Sequence, residues 1–503
     1  MSRNRSSLKS FPSSRHVLAY APLAVAIMLS LARPTQAANI AVNSADAMSE
    51  AGVCTIIDAV TAVNSQAAVN GCAAGDGDND TIDLTGFTTP TTISLTQAMP
   101  TTGFALILSN SANIVGGLNG KTPLVTIQRS TVSGTPAFGL IKNTAPLDII
   151  GLTLSNGASG MYSGGAILAS GNLTMSYCVV SNNSSDGAGG GIAASAQLRM
   201  DNSVVTGNKG GNAGGGIETS ASTSIYFSTI SNNATLSATS SSTGGGGVFT
   251  NGSLLMRNTT VDGNTSASGG GGIYGPGVVT IVNSTISNNT ASNGSGGGVF
   301  GASGGVSIDS STVTGNHAVG NGGGIDGGPV ALTNSTITGN SATGIGAGVA
   351  ADVFTSSYAT ITLNTSKGPG GGVNFTTSAK SYGTIFSGNK NGAAADDLAS
   401  AGTTALTGEY NIVGTTTVTI ADATHNFSCD PALSPLADNG GPTQTMALQT
   451  GDTCAIDHGS NKPAQSTDQR GFLRPAILGS NADIGAFEFG SDPDIIFADG
   501  FEL

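Results

Sequence analysis

A repeat of about 25 residues fills the middle of this chain and limits its fold more than any other feature. Segments such as "STISNN", "STVTGN" and "STITGN" return along the sequence, and each of them ends on an asparagine. These closing asparagines are Asn183, Asn208, Asn233, Asn264, Asn289, Asn316, Asn340, Asn364 and Asn389. A glycine-rich landmark such as "GGGI" keeps the same period and ends at Ile167, Ile192, Ile217, Val248, Ile273, Val299, Ile325, Val349 and Val373. Two columns that repeat together indicate an array of equivalent structural units.

The residues between the two landmarks alternate between apolar and polar, which is typical of strands and not of helices. In one repeat the apolar positions are Val279, Ile281 and Ile286, and neighbouring repeats hold apolar residues at the matching places. Each repeat is therefore predicted to contain about three short strands separated by turns. Stacking the repeats about 4.8 Å apart would bury one continuous apolar column, so the sequence predicts an all-β, parallel β-solenoid.

The composition agrees with an ordered fold that has many tight turns. The 503 residues include 76 Gly and no Trp, and only 9% are charged, but the glycines lack the every-third-residue pattern of collagen. The repeats resemble the right-handed parallel β-helix of the pectate-lyase-like and polymorphic outer-membrane-protein families, whose coils also carry "GG-I" and Asn-ending segments. The resemblance covers residues 82–414, the predicted β-helix, and it implies a fold without a particular activity.

The first 37 residues have the features of an export signal. Arg3, Arg5, Lys9 and Arg15 precede the apolar run "VLAYAPLAVAIMLSLA", and cleavage is expected after Ala37. The mature chain is predicted to have no transmembrane segment and to be extracellular or on the outer cell surface. Without residues 1–37 it has 12 Lys and Arg against 30 Asp and Glu, a formal charge of −18. That charge disfavours nucleic acid as a partner.

Export makes the five cysteines interpretable, because disulfides persist in oxidising compartments. Cys54 and Cys72 bracket a segment near the start of the mature chain, and Cys429 and Cys454 bracket another near its end. We predict that they pair in that order, each bond contributing about 3 kcal/mol in the chain-entropy model. Cys178 is left over in a column otherwise held mostly by serines, where a small inert residue is expected.

The ends of the solenoid must be covered, because open edges recruit other strands. At the N-terminal end, residues 38–81 contain "CTIIDAVTAVNSQAAVNGC", in which Ile56, Val60, Val63 and Ala67 lie on one helical face. A short helix is therefore predicted as a lid. This segment and the following "GCAAGDGDNDTIDL" resemble the CSLREA domain, except that Ile57 and Asp58 stand where that family has Arg-Glu.

The acidic run "DGDND" raises the question of a calcium site. Asp76, Asp78 and Asp80 stand on alternating positions, as carboxylate ligands of hard cations often do. Thr81 and Phe87, however, occupy the places where a calcium-binding EF-hand loop needs Gly and Glu. A polar turn without a cofactor and a calcium site both remain open on this pattern.

The repeat stops after residue 414. Residues 415–490 contain "DPALSPLADNGGPTQTMALQTGDTCAIDHGS", "TDQRGFLRP" and "ADIGAFEFG", which resemble the choice-of-anchor Q domain over Asp430 to Glu488. The resemblance implies an exported protein, with a cell-surface location as one alternative. A short tail, residues 491–503, follows this predicted C-terminal cap. We expect the whole chain to be a monomer.

Two classes of function fit these observations. The first is an adhesin-like or glycan-binding solenoid without a catalytic site, its partner a polysaccharide or a host or cell-surface glycan. The second is a polysaccharide lyase or glycoside hydrolase, which requires carboxylates that converge on a sugar. The best pair is Asp326 and Asp352, predicted to face outward on consecutive coils about 8 Å apart, within the range for inverting hydrolysis. Solvated turn residues are the alternative for this pair.

The column that follows each glycine-rich landmark should face away from the core. It holds Phe249, Tyr274 and Phe300 on three consecutive coils, in a chain with only 16 Phe and 8 Tyr, and Glu218 and Asp326 bracket them. Such a strip would suit stacking against sugar rings, with carboxylates to accept hydrogen bonds from hydroxyls. An aromatic stack that only stabilises neighbouring coils is the alternative.

Overall fold

The computed structural model describes residues 37–77, 79–100, 102–237, 244–460, 465–475 and 480–491. The predicted export signal, apart from Ala37, and the tail after Ser491 lie outside these residues. Almost all inter-strand pairings described are parallel and join one coil to the next, as when Ile273 pairs with Val248 and with Val299. The predicted all-β parallel solenoid is therefore confirmed.

Three parallel sheets form the walls of the solenoid in the described residues. The long sheet takes two strands, or one continuous strand, from each coil. Its strands are Asn39–Ala41, Asp80–Leu84, Phe104–Leu108, Ala112–Gly116, Gly139–Asn143, Leu147–Ile150, Ile167–Ala169, Leu173–Ser176, Ile192–Ala194, Leu198–Asp201, Ile217–Thr219, Thr223–Tyr226, Val248–Thr250, Leu254–Arg257, Ile273–Tyr274, Val279–Val282, Val299–Gly301, Val306–Asp309, Ile325–Thr333, Val349–Ser357, Val373–Tyr382, Leu398–Ser400 and Leu406–Thr407.

The other two sheets are built from one short strand of each coil that they include, except that the third sheet ends on an antiparallel pair, Lys390–Asn391 with Ala394–Ala395. The second sheet contains Thr91–Leu95, Val125–Arg129, Leu152–Ser155, Val179–Ser181, Val204–Thr206, Thr229–Ser231, Thr260–Asp262, Thr285–Ser287, Thr312–Thr314, Thr336–Thr338, Thr360–Thr362, Ile385–Ser387 and Ile412–Val413. The third contains Ser184–Ser185, Lys209–Gly210, Ala234–Thr235, Thr265–Ser266, Thr290–Ala291, His317–Ala318, Ser341–Ala342, Thr365–Ser366, Lys390–Asn391 and Ala394–Ala395. A small hairpin joins Leu118–Asn119 to Thr122–Pro123.

The repeated asparagines form a buried ladder at the turn between the second and third sheets. Asn289 is fully buried, and its backbone N–H and side-chain amide both donate to Oδ1 of Asn316, at 2.9 Å each. The same amide donates to the carbonyl of Val261, on the preceding coil. The ladder ends on Asp397, whose Oδ1 accepts both bonds from Asn389. An aspartate fits there because the last position must accept hydrogen bonds and has no further side chain to donate to.

The glycine-rich landmark forms the corner between the third sheet and the long sheet. Gly270 has φ of +60°, and a Cβ on Gly271 would lie 2.3 Å from the carbonyl oxygen of Gly297 on the next coil. Successive backbones therefore touch at this corner, which explains why glycine recurs there in most coils, with Ala347 at the Gly271 position of one coil.

The N-terminal lid is a helix over Ile56–Ser65. Thr55 caps it by accepting a hydrogen bond from the Asp58 amide, and the Asp58 carboxylate accepts one from Thr55 Oγ1. Buried Val60 and Val63 join the core of the solenoid, as predicted. The prediction for Ala67 is wrong: the helix ends at Gln66 in a left-handed C-cap, so Ala67 lies beyond it and is exposed.

The C-terminal region lies mostly along the side of the solenoid. Parallel bridges continue the coils past residue 414, as between Ile412 and Phe427. Beyond them, Leu448, Ile484 and Phe487 pack against Ile385 and Ile412, on the outer face of the second sheet. This region therefore braces the wall of the last coils.

Both predicted disulfides are present, Cys54 with Cys72 and Cys429 with Cys454. Cys178 is a free, buried thiol, and burial raises its pKa to about 11, which agrees with an inert packing residue. No helix within the described ranges has the length and apolar character needed to cross a membrane.

Candidate functional site

Three coils near the C-terminal end differ from the rest because their long-sheet strands are continuous. These strands are Ile325–Thr333, Val349–Ser357 and Val373–Tyr382, whereas earlier coils break the same path with a turn. In each strand two or three residues point outward together, as at Gly328 and Pro329 between buried Gly327 and Val330. The result is an open outer face, which we call the long-strand face, formed by residues 325–333, 349–357 and 373–382.

Asp326 and Asp352 lie on this face in the predicted arrangement. Asp326 pairs with Ala350, so Asp352 stands two residues further along the next strand, opposite Gly328. Asp326 is half-buried and Asp352 is exposed, its Oδ1 accepting a 3.0 Å hydrogen bond from Thr376 Oγ1. Burial, and to a lesser extent the Asp352 carboxylate, raises the pKa of Asp326 to about 6 against an opposing hydrogen bond from Ser295. The two carboxyl groups thus have different environments within one site.

An apolar groove of about 290 Å³ lies next to Asp352, beginning at the following residue of its strand. Its lining includes Val278, Gly305, Pro329, Val330, Val353 and Thr355. Val353 directly follows Asp352 in the strand, and a Cβ on Gly328, beside Pro329, would lie 3.8 Å from Asp352 Oδ2. Polar acceptors and an apolar surface therefore meet at the edge of the groove.

The aromatic column has the predicted register but not the predicted exposure. Phe249 pairs with Tyr274, Tyr274 with Phe300 and Phe300 with Asp326, and the rings stack at 5.2 and 4.8 Å between centroids. Phe249 and Tyr274 are only 7% and 6% exposed, and Phe300 is half-buried. The expectation of an open apolar strip is corrected.

The glycine corner explains why the rings are covered. A Cβ on Gly244 would lie 2.9 Å from the ring of Tyr274. The ring therefore rests against the backbone of Gly244, on the preceding coil. Glu218 occupies the other end of the column, in register with Phe249, and burial raises its pKa. The column thus packs against its own coils.

The acidic run near the N-terminus forms turn hydrogen bonds in its described part. Asp80 is buried and accepts from the amides of Ala38 and Asp76 and from Gln66 Nε2. Asp76 also accepts from Ala38, and Asp78 lies outside the described residues. The calcium alternative stays a prediction.

A second acidic group lies at the last coil. Side-chain oxygen or nitrogen atoms of Glu409, Asp422 and His425 lie within 4.8 Å of one another. Asp422 already accepts hydrogen bonds from His425 and Thr424, so two of the three groups are paired without an ion.

The raised pKa of Asp326 gives a stability prediction. Because its folded pKa of about 6 exceeds the ordinary 3.8, the folded state binds more protons between these values. Stability should therefore fall as pH rises from about 4 to about 6 and then level off. Asp326→Asn removes this loss. The free energy of unfolding of the variant, relative to that of wild type, should therefore be about 1–2 kcal/mol higher at pH 8 than at pH 4.

Chemical denaturation at both pH values measures this gain. Asp186→Asn changes an exposed carboxylate on another coil and serves as the matched control. A constant difference between Asp326→Asn and wild type at both pH values would show that the carboxyl is not perturbed.

Sequence reasoning missed the partners of the carboxylates, Ser295 and Thr376. Both come from neighbouring coils: Ser295 precedes the glycine-rich landmark of the coil before Asp326, and Thr376 lies among the outward residues of the next long strand. For Thr376 the available signal was the missing turn, since no glycine or asparagine cluster interrupts "VAADVFTSS" or "VNFTTSAKSY".

Comparison with known proteins gives no family for this chain. Neither the protein-family models nor the curated proteins give a match, so the resemblances to the CSLREA and choice-of-anchor Q domains stay sequence interpretations. Among solved structures, the chain is similar to a crystal structure of a pectate lyase, with 14% identity, a TM-score of 0.33, and coverage of 90% of this chain and 96% of that one. We draw nothing about activity from this likeness.

Proposed function

We propose that this chain is an exported, adhesin-like β-solenoid that binds a glycan on its long-strand face. The observation that carries the proposal is the meeting of Asp352, Thr376 and the apolar groove on that face. A sugar offers hydroxyl donors at its edge and apolar C–H groups on its ring faces. Exposed Asp352 can accept from the hydroxyls while Pro329 and Val353 contact the ring.

The solenoid supports this function because it fixes the site without a mobile loop. Asp352 and Thr376 stand at a register shift between two strands that are otherwise paired on both sides, so the flanking pairs limit the ordering needed when a ligand binds. The two disulfides agree with an oxidising location such as the cell exterior.

A glycan array with residues 38–503 should therefore show binding to particular polysaccharides. Asp352→Asn keeps the size of the side chain but removes its charge and one acceptor, and we expect binding to weaken about tenfold. Asp186→Asn is the control and should bind as wild type does. Absence of binding across the array, or equal binding by Asp352→Asn and wild type, would refute the proposal.

Glycoside hydrolysis at the same face is a second candidate, favoured by the perturbed pKa of Asp326. A carboxyl group with a pKa of about 6 can hold a proton for a leaving oxygen, while Asp352 one coil away could activate water. An assay for new reducing ends on the polysaccharides that bind tests this role. Activity lost in Asp326→Asn with binding retained supports hydrolysis, and the absence of product from wild type leaves binding alone.

A further inference from the structure

A second group of side chains lies on the long sheet, about five coils before Asp352. Unlike the long-strand face, it combines arginine with aromatic side chains. It consists of Arg199, Tyr226, Phe227 and Arg257, which we call the arginine–aromatic patch. Tyr226 pairs in register with Asp201 on one side and with Arg257 on the other, so all four residues lie within three consecutive coils. The patch belongs to neither the aromatic column nor the long-strand face.

Phe227 is the most unusual residue of the patch. Its φ is +48°, a left-handed conformation that the adjacent coils fill with Asn202 and Asn258. Two other coils place a tyrosine at this position, but Tyr177 is half-buried and Tyr358 is buried. Asparagine tolerates this conformation, whereas an aromatic side chain is strained in it. Phe227 is nevertheless 59% exposed, so the strain is not offset by burial of its ring. A strained residue that gains little packing energy points to a role in binding.

Arg199 is held in a fixed orientation beside the ring of Tyr226, the residue that precedes Phe227. Its Nε donates to Asp201 Oδ2 at 2.8 Å, and its guanidinium carbon lies 4.8 Å from the centre of the Tyr226 ring. Its two terminal nitrogens make no hydrogen bond to any described residue, and 55% of the side chain is exposed. The Arg199 guanidinium is therefore fixed in orientation, and its terminal N–H groups can still donate hydrogen bonds to a ligand.

Arg257 adds a second positive charge, with no ion pair among the described residues, in a chain that has only 17 Lys and Arg. A polar groove of about 330 Å³ continues from the patch, lined by Asn172, Thr174, Gln197, Arg199, Ser222 and Ser224. Two guanidinium groups against one paired carboxylate leave a local excess of positive charge. Beside an exposed aromatic ring, this combination matches a sugar ring that carries an anionic group.

We infer that the arginine–aromatic patch binds an acidic glycan, with a carboxylate or sulfate ester at Arg199 and Arg257 and the sugar ring against Phe227. This inference rests on the proposed glycan-binding function and specifies that the glycan is negatively charged. The polar groove would hold the neighbouring sugar units through its amides and hydroxyls. The long-strand face, whose carboxylates repel anions, would contact uncharged parts of the polymer.

Calorimetric titration with neutral, uronate-containing and sulfated oligosaccharides tests the inference. Wild type should bind at least one acidic class more tightly than the neutral one. Arg257→Gln should weaken that binding about tenfold. Lys209→Gln removes an exposed positive charge from the third sheet and should leave it unchanged. The class that binds, uronate or sulfated, identifies the anionic group.

Phe227→Asn separates binding from folding. It places the residue of the neighbouring coils in the left-handed position, so the melting temperature should rise by about 1–2 °C while acidic-glycan binding weakens. Unchanged binding in both Phe227→Asn and Arg257→Gln, or no preference for acidic glycans, would overturn the inference. If Asp352→Asn still weakened glycan binding in that case, the proposed function would stand without this site.

Discussion

Asn289→Ala should lower the free energy of unfolding by about 3–5 kcal/mol. The substitution removes the acceptor for two Asn264 donors, the backbone N–H and the side-chain amide, both at 3.0 Å. It also leaves the carbonyl of Val261 without its donor. All of these groups are buried, so water cannot replace the lost bonds without opening the turn. Chemical denaturation followed by circular dichroism measures the change.

Asn293→Ala is the matched control for the ladder. Asn293 lies on the same coil but is exposed, and its amide makes one hydrogen bond to the carbonyl of Ala267. Its replacement should change stability by no more than about 0.5 kcal/mol. Similar losses in the two variants would mean that the ladder contributes nothing beyond an ordinary surface asparagine.

Arg470→Ala should destabilise the C-terminal brace by about 3–5 kcal/mol. The Arg470 guanidinium is buried, pairs with Asp468 at 2.7 Å and donates to the carbonyl of Glu488. It also lies 3.7 Å from the centre of the Phe487 ring, within the cluster that joins the brace to the second sheet. Its removal leaves the Asp468 carboxylate buried without its ion pair. Limited proteolysis should then cleave within residues 430–491 before the coils.

Arg199→Ala provides the control for the loss of an arginine. Its ion pair with Asp201 is of similar length, 2.8 Å, but the side chain is 55% exposed, so the expected loss is below about 1 kcal/mol. Equal protease resistance of Arg470→Ala and wild type would contradict the role of the buried pair.

The coils were predictable from the sequence because each constraint recurs. Every repeat has the same inward apolar positions and a closing asparagine. In a stack of parallel strands, a single register aligns these positions in all repeats at once. The disulfides followed from spacing alone, since each cysteine pair brackets one short segment. The register of Asp326 and Asp352 was predictable because a strand residue and its neighbour on the next coil are related by fixed spacing.

Features that depend on one coil alone were not predictable. Alternation shows that Tyr274 points away from the core, but not that the backbone at Gly244 covers its ring. The motif "TDQRGFLRP" gave no hint that Gln469 would bond Thr312 and Thr336 on two different coils, because these contacts span more than 130 residues. The strain at Phe227 could have been noticed by aligning it with Asn202 and Asn258.

A crystal structure of residues 38–503 with a bound oligosaccharide, chosen from the array, would locate the glycan site. A sugar ring should lie over Pro329 and Val353, with a hydroxyl donating to Asp352 and another contact at Thr376. A sugar bound on the second or third sheet, with the long-strand face empty, would contradict this prediction.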